Sequence, residues 1–265
     1  MSPAQLSRLR PQISALSSLF DQPEKYIDAL TKLLEQYRND VEPTSDGIQP
    51  YSLVKKLNVP GVVISQLDVS YNHLVKAHSQ QTIEIAKTIW KCDYIEYKQL
   101  SLLLLSKLPE KFSDSYYSFI TENISEESET PLYFFLVEIA SKNSEIQQDH
   151  RWMNIFISWV VSPDKRLKKF GIQAAVDFIQ SLKQYPSPEF MKLIKPVFLN
   201  PYIAIHADLL GLVNLLADYS INETAAFLIS IGVQNPNNDI SKFLRKCAVF
   251  FPPPLSERIK NTSQL

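Results

Sequence analysis

The stretch Trp90-Lys-Cys-Asp-Tyr-Ile-Glu-Tyr-Lys-Gln-Leu-Ser-Leu-Leu-Leu-Leu105 ends one helix and begins the next within a few residues. Helical periodicity runs through about 80–91 before it and 94–107 after it. Glu96 falls in the first turn of the second helix, where a carboxylate suits the helix dipole or a cap. Trp90, at the end of the first, is placed to pack between neighbouring elements. A connection this short forces the two helices to fold back on one another as antiparallel neighbours. Leu100–Leu105 is the densest apolar run in the chain. It is far shorter than the roughly 20 residues that span a bilayer.

The same pattern repeats outward in both directions. Pro23-Glu24 opens an amphipathic helix with Tyr26, Leu30, Leu33, Leu34 and Tyr37 on one face. A polar loop is expected over Glu42–Gly47, a short helix over Tyr51–Leu57, and a turn at Pro60-Gly61. Further helices are expected at about 64–78, 112–124, 131–142, 148–161, 164–183, 187–198, 202–219, 221–233 and 236–250. Prolines such as Pro109, Pro131, Pro163, Pro188 and Pro201 punctuate them. Helix pairs recur at about 35 to 40 residues, a spacing within the range of HEAT-like repeats. The expected fold is therefore all-α: an α-solenoid, or superhelix, of HEAT-like helix pairs in one domain over 1–265. N-terminal helices occupy 1–40, and a Pro-led tail over 252–265 ends in a short helix. Val59–Ile64 is β-prone but carries Pro60 and Gly61, and no strand pattern competes.

Composition narrows the chemistry. Of 265 residues, 45% are hydrophobic and 21% charged, enough to bury a core. The five glycines, at 47, 61, 171, 211 and 232, are too scattered for a phosphate-binding loop. There is no Gly-x-Ser-x-Gly elbow. His73 and His78 are five apart and face different ways on a helix, and His150 and His206 stand alone, so no metal site and no cofactor are expected. Cys92 and Cys247 read as reduced structural thiols. Met1–Leu19 lacks the pattern of a secretory signal. A cytoplasmic monomer without membrane attachment is the expectation. Net charge is −1, yet Glu110–Asp149 holds nine acidic residues against two basic, and Arg151–Lys195 eight basic against three acidic. Such asymmetry marks either a binding face or solvated helix surface.

Four stretches taken in order resemble the DNA alkylation repair family, the HEAT-like-repeat alkylpurine DNA glycosylases. Tyr51–Lys56 with Val59-Pro60-Gly61-Val62 is similar to its lead-in. Trp90–Leu105 matches its Trp, short turn, Glu and apolar helix. Trp159-Val-Val-Ser-Pro-Asp-Lys-Arg-Leu-Lys-Lys-Phe-Gly-Ile172 is similar to its Trp, loop, basic pair and apolar helix. Asp218-Tyr219-Ser220 through Phe227-Leu228 resembles a later repeat. The resemblance covers roughly 50–250. It implies a curved solenoid that holds duplex DNA on a basic concave face and releases alkylated, cationic purines without a metal. Such a base is already a good leaving group. The enzyme needs a carboxylate near the developing oxocarbenium ion and aromatic faces that attract positive charge.

The resemblance also locates departures. The family's Trp-rich acidic helix corresponds to Pro131–Ala140, which reads Pro-Leu-Tyr-Phe-Phe-Leu-Val-Glu-Ile-Ala. One register sets the catalytic acid at Val137, and a shift of one residue sets it at Glu138. Tyr133, Phe134 and Phe135 are the candidate aromatic, base-facing residues, although adjacent residues cannot all point one way. A later family Trp falls near Asn214. Lys165, Arg166, Lys168 and Lys169 are the candidate phosphate contacts, and Arg245 and Lys246 are further candidates. Each has a plainer reading: a solvated helix start for the lysines, and an outer-face carboxylate for Glu138. Trp152 and Trp159, seven apart, share a face suited to packing. Two functions stand at this stage: a duplex-DNA-binding protein with or without glycosylase activity, and a non-catalytic scaffold for a protein partner.

Overall fold

In a computed structural model, residues 3–39, 55–125 and 128–262 are described. Among them are fifteen α-helices and no strand, so the fold is an all-α helical repeat. None of these helices is long and apolar enough to cross a membrane. The chain divides into two compact units, Met1–Ile139 and Ala140–Leu265.

The first unit contains α1 (Pro3–Ser17), α2 (Pro23–Gln36), α3 (Gly61–Ala77), α4 (Ser79–Trp90), α5 (Ile95–Ser106), α6 (Ser113–Asn123) and most of α7 (Thr130–Lys142). Here α1 packs on α3 and α3 on α5, while α2 packs on α4. Consecutive helices also touch, α4 and α5 most extensively. Packing on the next helix and on the one after it builds two layers, as stacked helix pairs do. Trp90 packs edge-on against Phe119, ring centroids 5.0 Å apart, with Lys98 Nζ 5.1 Å from its ring. Packing is therefore its role.

Glu96 does more than sit in a favourable first turn. Its carboxylate is buried and accepts the Leu57 N–H at 3.0 Å, while the Lys55 carbonyl accepts the Ile95 N–H. The Leu57 carbonyl in turn accepts the Asn39 N–H. These backbone groups bond to α5 and to residue 39, which corrects the expected helix over Tyr51–Leu57 at its end: residues 55–57 are not helical. The rest of that segment, and the Glu42–Gly47 loop, lie outside the described residues.

The second unit contains α8 (Ser144–Gln148), α9 (His150–Val161), α10 (Lys165–Leu182), α11 (Pro188–Leu199), α12 (His206–Tyr219), α13 (Ile221–Gln234), α14 (Asn238–Cys247) and α15 (Pro253–Asn261). One layer runs α8, α10, α12, α14, and the other α9, α11, α13, α15. The expected helix over 148–161 forms as α9, which starts at His150 because Asp149 caps it, its carboxylate accepting the Arg151 N–H at 2.8 Å, and the short α8 before it is not among the expected helices. The expected helix over 202–219 begins only at His206, after a 3-10 turn over Ile203–Ile205. The one over 236–250 ends at Cys247 and runs on as a 3-10 turn, Ala248–Phe250. The tail does form its short helix, α15. Trp152 and Trp159 meet edge-on at 5.6 Å, and both are buried, as packing residues should be.

In this unit α9 and α10 pack closely, and a glycine permits it. A Cβ on Gly171 would stand 2.6 Å from the Val160 backbone nitrogen and 3.0 Å from the Phe156 carbonyl oxygen. Ala174 and Ala175, buried three and four residues on, continue the small face. Gly171→Ala should lower stability by about 1–3 kcal/mol despite alanine's better helix propensity, because backbone cannot step aside as a side chain can. An unchanged or raised Tm would refute that close approach. Glu96→Ala should cost about 1–3 kcal/mol by leaving the Leu57 N–H buried and unpaired. Denaturant unfolding with an unaltered midpoint would remove Glu96 as the latch.

Candidate nucleic-acid interface

The start of α10 is built by its own sequence. In Ser162-Pro163-Asp164, the Ser162 hydroxyl oxygen accepts the Asp164 N–H at 3.1 Å, and the Asp164 carboxylate accepts the Arg166 N–H at 2.7 Å. The Arg166 guanidinium folds back onto the same carboxylate, Nη2 to Oδ2 2.7 Å. That guanidinium holds the Asp164 carboxyl below its ordinary pKa. The helix before it uses the same device: Arg151 reaches the Asp149 carboxylate at 2.6 Å. Burial pushes the Asp149 carboxyl up, but the hydrogen bonds and charge of Arg151 outweigh it and the pKa lies below its usual value. Arg166 is thus engaged by a cap, and the positive charge at this helix start resides chiefly on Lys165, Lys168 and Lys169.

Lys165 and Lys168, three residues apart, share a helix face. Both ammonium groups stand 5.3 Å from the centroid of the Tyr202 ring, within cation–π range. Tyr202 belongs to the turn between α11 and α12. Its hydroxyl is shut off from solvent with no hydrogen-bond partner among the described residues. Burial, then the charge of Asp164, raises its pKa. Four residues on, His206 is buried, with Nε2 2.6 Å from the Pro201 carbonyl oxygen. A carbonyl only accepts, so Nε2 carries the proton and Nδ1 is left as an acceptor. Lys246 Nζ lies 3.4 Å from that Nδ1.

One turn, Pro201–His206, therefore gathers Lys165 and Lys168 from α10 and Lys246 from α14. Lys169 and Arg245 are exposed on the same two helices. Sequence reasoning singled out the basic residues and missed Tyr202 and His206, which draw them together. The only local signal was the Asn200-Pro201 turn ahead of two ring-bearing residues.

The candidate acid lies on α7. Tyr133 is buried, and its hydroxyl donates to the Ser125 carbonyl, so it faces the core. Phe134 is 55% exposed, and its ring lies 6.2 Å from that of the half-buried Phe135. Val137 is buried and Glu138 half-buried. Phe134 and Glu138, four apart, share the outer face of the helix. Phe134 and Glu138 thus share one face of α7 with Phe135 next to Phe134, while Tyr133 faces the core. The carboxylate this chain has stands at Glu138, while the Val137 position points inward.

Within the second unit, α10 and α12 flank a cleft of about 320 Å³ in which Gln173, Gln180, Asp208, Asn214 and Asp218 stand among the apolar Ile172, Val176 and Leu215. Asn214, where the family resemblance sets a Trp, lies on this wall. Nearby, Gln173 donates to Asp177 at 3.0 Å, and burial raises that carboxyl's pKa. Among the described residues, no three His, Cys, Asp or Glu side chains converge as metal ligands. Cys92 and Cys247 are free thiols, with Cys247 buried.

No curated protein matches this chain. The model of the DNA alkylation repair enzyme family matches residues 32–200, more than half of its length. The matched span runs from α2 to the end of α11. It takes in Glu96, the α7 cluster and Lys165–Lys169, and it stops short of Tyr202 and Lys246. With its stacked helix pairs and this match, the chain belongs to the DNA alkylation repair enzyme family.

Proposed function

We propose that this chain binds duplex DNA through the lysines around Pro201–His206, and that the Phe134–Glu138 face of α7 receives the positive charge of an alkylated purine. The observation that carries the first part is the convergence of Lys165, Lys168 and Lys246 on one turn. Three ammonium groups from two helices match a phosphate backbone better than scattered surface charge would. Packing alone does not require three lysines there, since Arg166 already serves the cap.

The second part rests on chemistry. An alkylated purine carries a positive charge and leaves readily when the bond from C1′ of the sugar to the base nitrogen breaks. The electron pair goes to the base, which leaves neutral, and water adds to C1′ and gives up a proton to the carboxylate or to solvent. An exposed phenyl ring attracts the cationic base, and a nearby carboxylate favours the oxocarbenium ion as it forms. Phe134 and Glu138 supply one of each, one helical turn apart. Neither step calls for a metal.

The cleft between α10 and α12, where amides and carboxylates stand among apolar side chains, supports a second reading. Asp208 and Asp218 repel phosphate, and a protein partner with basic or amide side chains would suit that wall. On this reading the chain is a helical-repeat scaffold.

Single-turnover release of methylated purines from alkylated duplex, with undamaged duplex as control, separates the two. Lys168→Ala combined with Lys169→Ala should weaken duplex binding and lower the salt slope by about 2, close to one unit for each phosphate no longer neutralised. An unaltered slope would take this segment out of the interface. Glu138→Gln should slow base release by about 10²–10³-fold while the fold persists, as seen by circular dichroism. Full activity in that variant would end the role of Glu138. No release by the parent chain would favour the scaffold.

A further inference from the structure

The turn that gathers the lysines also carries the most exposed large apolar side chain among the described residues, Ile203, at 83%. It is held out rather than left loose. Below it, Ile205 and Pro201 are buried. The Ile205 N–H donates to the Tyr202 carbonyl at 3.0 Å, and the Asn235 side chain donates to the Leu199 carbonyl at 3.0 Å. His206 holds the Pro201 carbonyl from the other side. Two lysines press on the Tyr202 ring immediately before Ile203. An exposed apolar tip on the same turn whose Tyr202 and His206 meet three lysines is poorly explained as surface decoration. Water solvates the charges but not the tip.

Resting on the DNA-binding reading above, we propose that Ile203 is a wedge that enters an unstacked base step while Lys165, Lys168 and Lys246 hold the flanking phosphates. Apolar wedges set among basic side chains act this way on duplex DNA, substituting the side chain for the neighbouring base in the stack. The preferred duplex is one that opens cheaply: a flexible TA step, or a site weakened by a missing base. Charge complementarity selects nucleic acid as the occupant. An acidic peptide carrying an apolar side chain is the competing occupant.

The test uses the full chain and a short duplex with 2-aminopurine beside a TA step, intact or facing an abasic site. Binding should raise 2-aminopurine fluorescence. Ile203→Ser should bind about tenfold more weakly, keep the parent's salt slope and lose the fluorescence rise. Ile203→Leu should restore both. Because the side chain is exposed, neither substitution threatens the core. Salt-dependent binding with flat fluorescence, or an Ile203→Ser variant equal to the parent, overturns the wedge and leaves the basic interface standing. No duplex binding at low salt overturns both. Displacement of the duplex by an acidic, leucine-bearing peptide at lower concentration overturns the wedge in favour of a protein partner.

Discussion

The second unit depends on how closely α10 can approach α9. At Gly171 the two backbones come within a distance that no side chain tolerates. From that crossing α10 also reaches α8, α12 and the Ile203–Ile205 turn. Its position therefore decides where Lys165 and Lys168 emerge, and which residues of α12 it faces across the cleft. A methyl group at this crossing acts on the architecture first and on the lysines through it. In the first unit the corresponding constraint is polar. Glu96 is buried because it secures Leu57, and the chain before α3 is drawn onto the start of α5.

Charge along α10 follows the same economy of position. At its start, Asp164 neutralises Arg166 and satisfies the first-turn backbone, so the remaining lysines are not needed for the helix itself. They turn to Tyr202. Further along, Gln173 and Gln180 face Asp208, Asn214 and Asp218. α10 thus carries a cationic end suited to phosphate, while across the cleft α12 presents carboxylates that repel it. On the proposed DNA-binding reading that contrast sets a register, because a backbone placed over the lysines is kept off the acidic wall by like charge.

Much of the helical repeat is legible in the sequence, because amphipathic runs and proline punctuation are local signals. The pairing of α4 with α5 through Lys91–Tyr94 follows from connection length alone. The short α8 escapes such a reading because its five residues, Ser144–Gln148, are almost all polar and show no periodicity, and only the Asn143 cap reveals a helix there. The non-helical Lys55–Leu57 segment escapes it because its partners on α5 lie some forty residues away. For the site, the basic residues are visible as a charge block, whereas Tyr202 and His206 are not. Their roles arise where α10, the 201–206 turn and α14 meet, which no periodicity encodes. The mixed fate of Tyr133, Phe134 and Phe135 follows from helix geometry: three consecutive residues span most of a turn, and only one of the three can be the most exposed.

The central claim is that duplex DNA engages the turn where α10 and α14 supply lysines. Hydrogen–deuterium exchange of the whole chain, with and without a short undamaged duplex at low salt, addresses it directly. Slower exchange at residues 163–170, 200–206 and 243–247, relieved by added salt, is the result expected. Protection confined to other segments, or none under conditions where the duplex is bound, would contradict it.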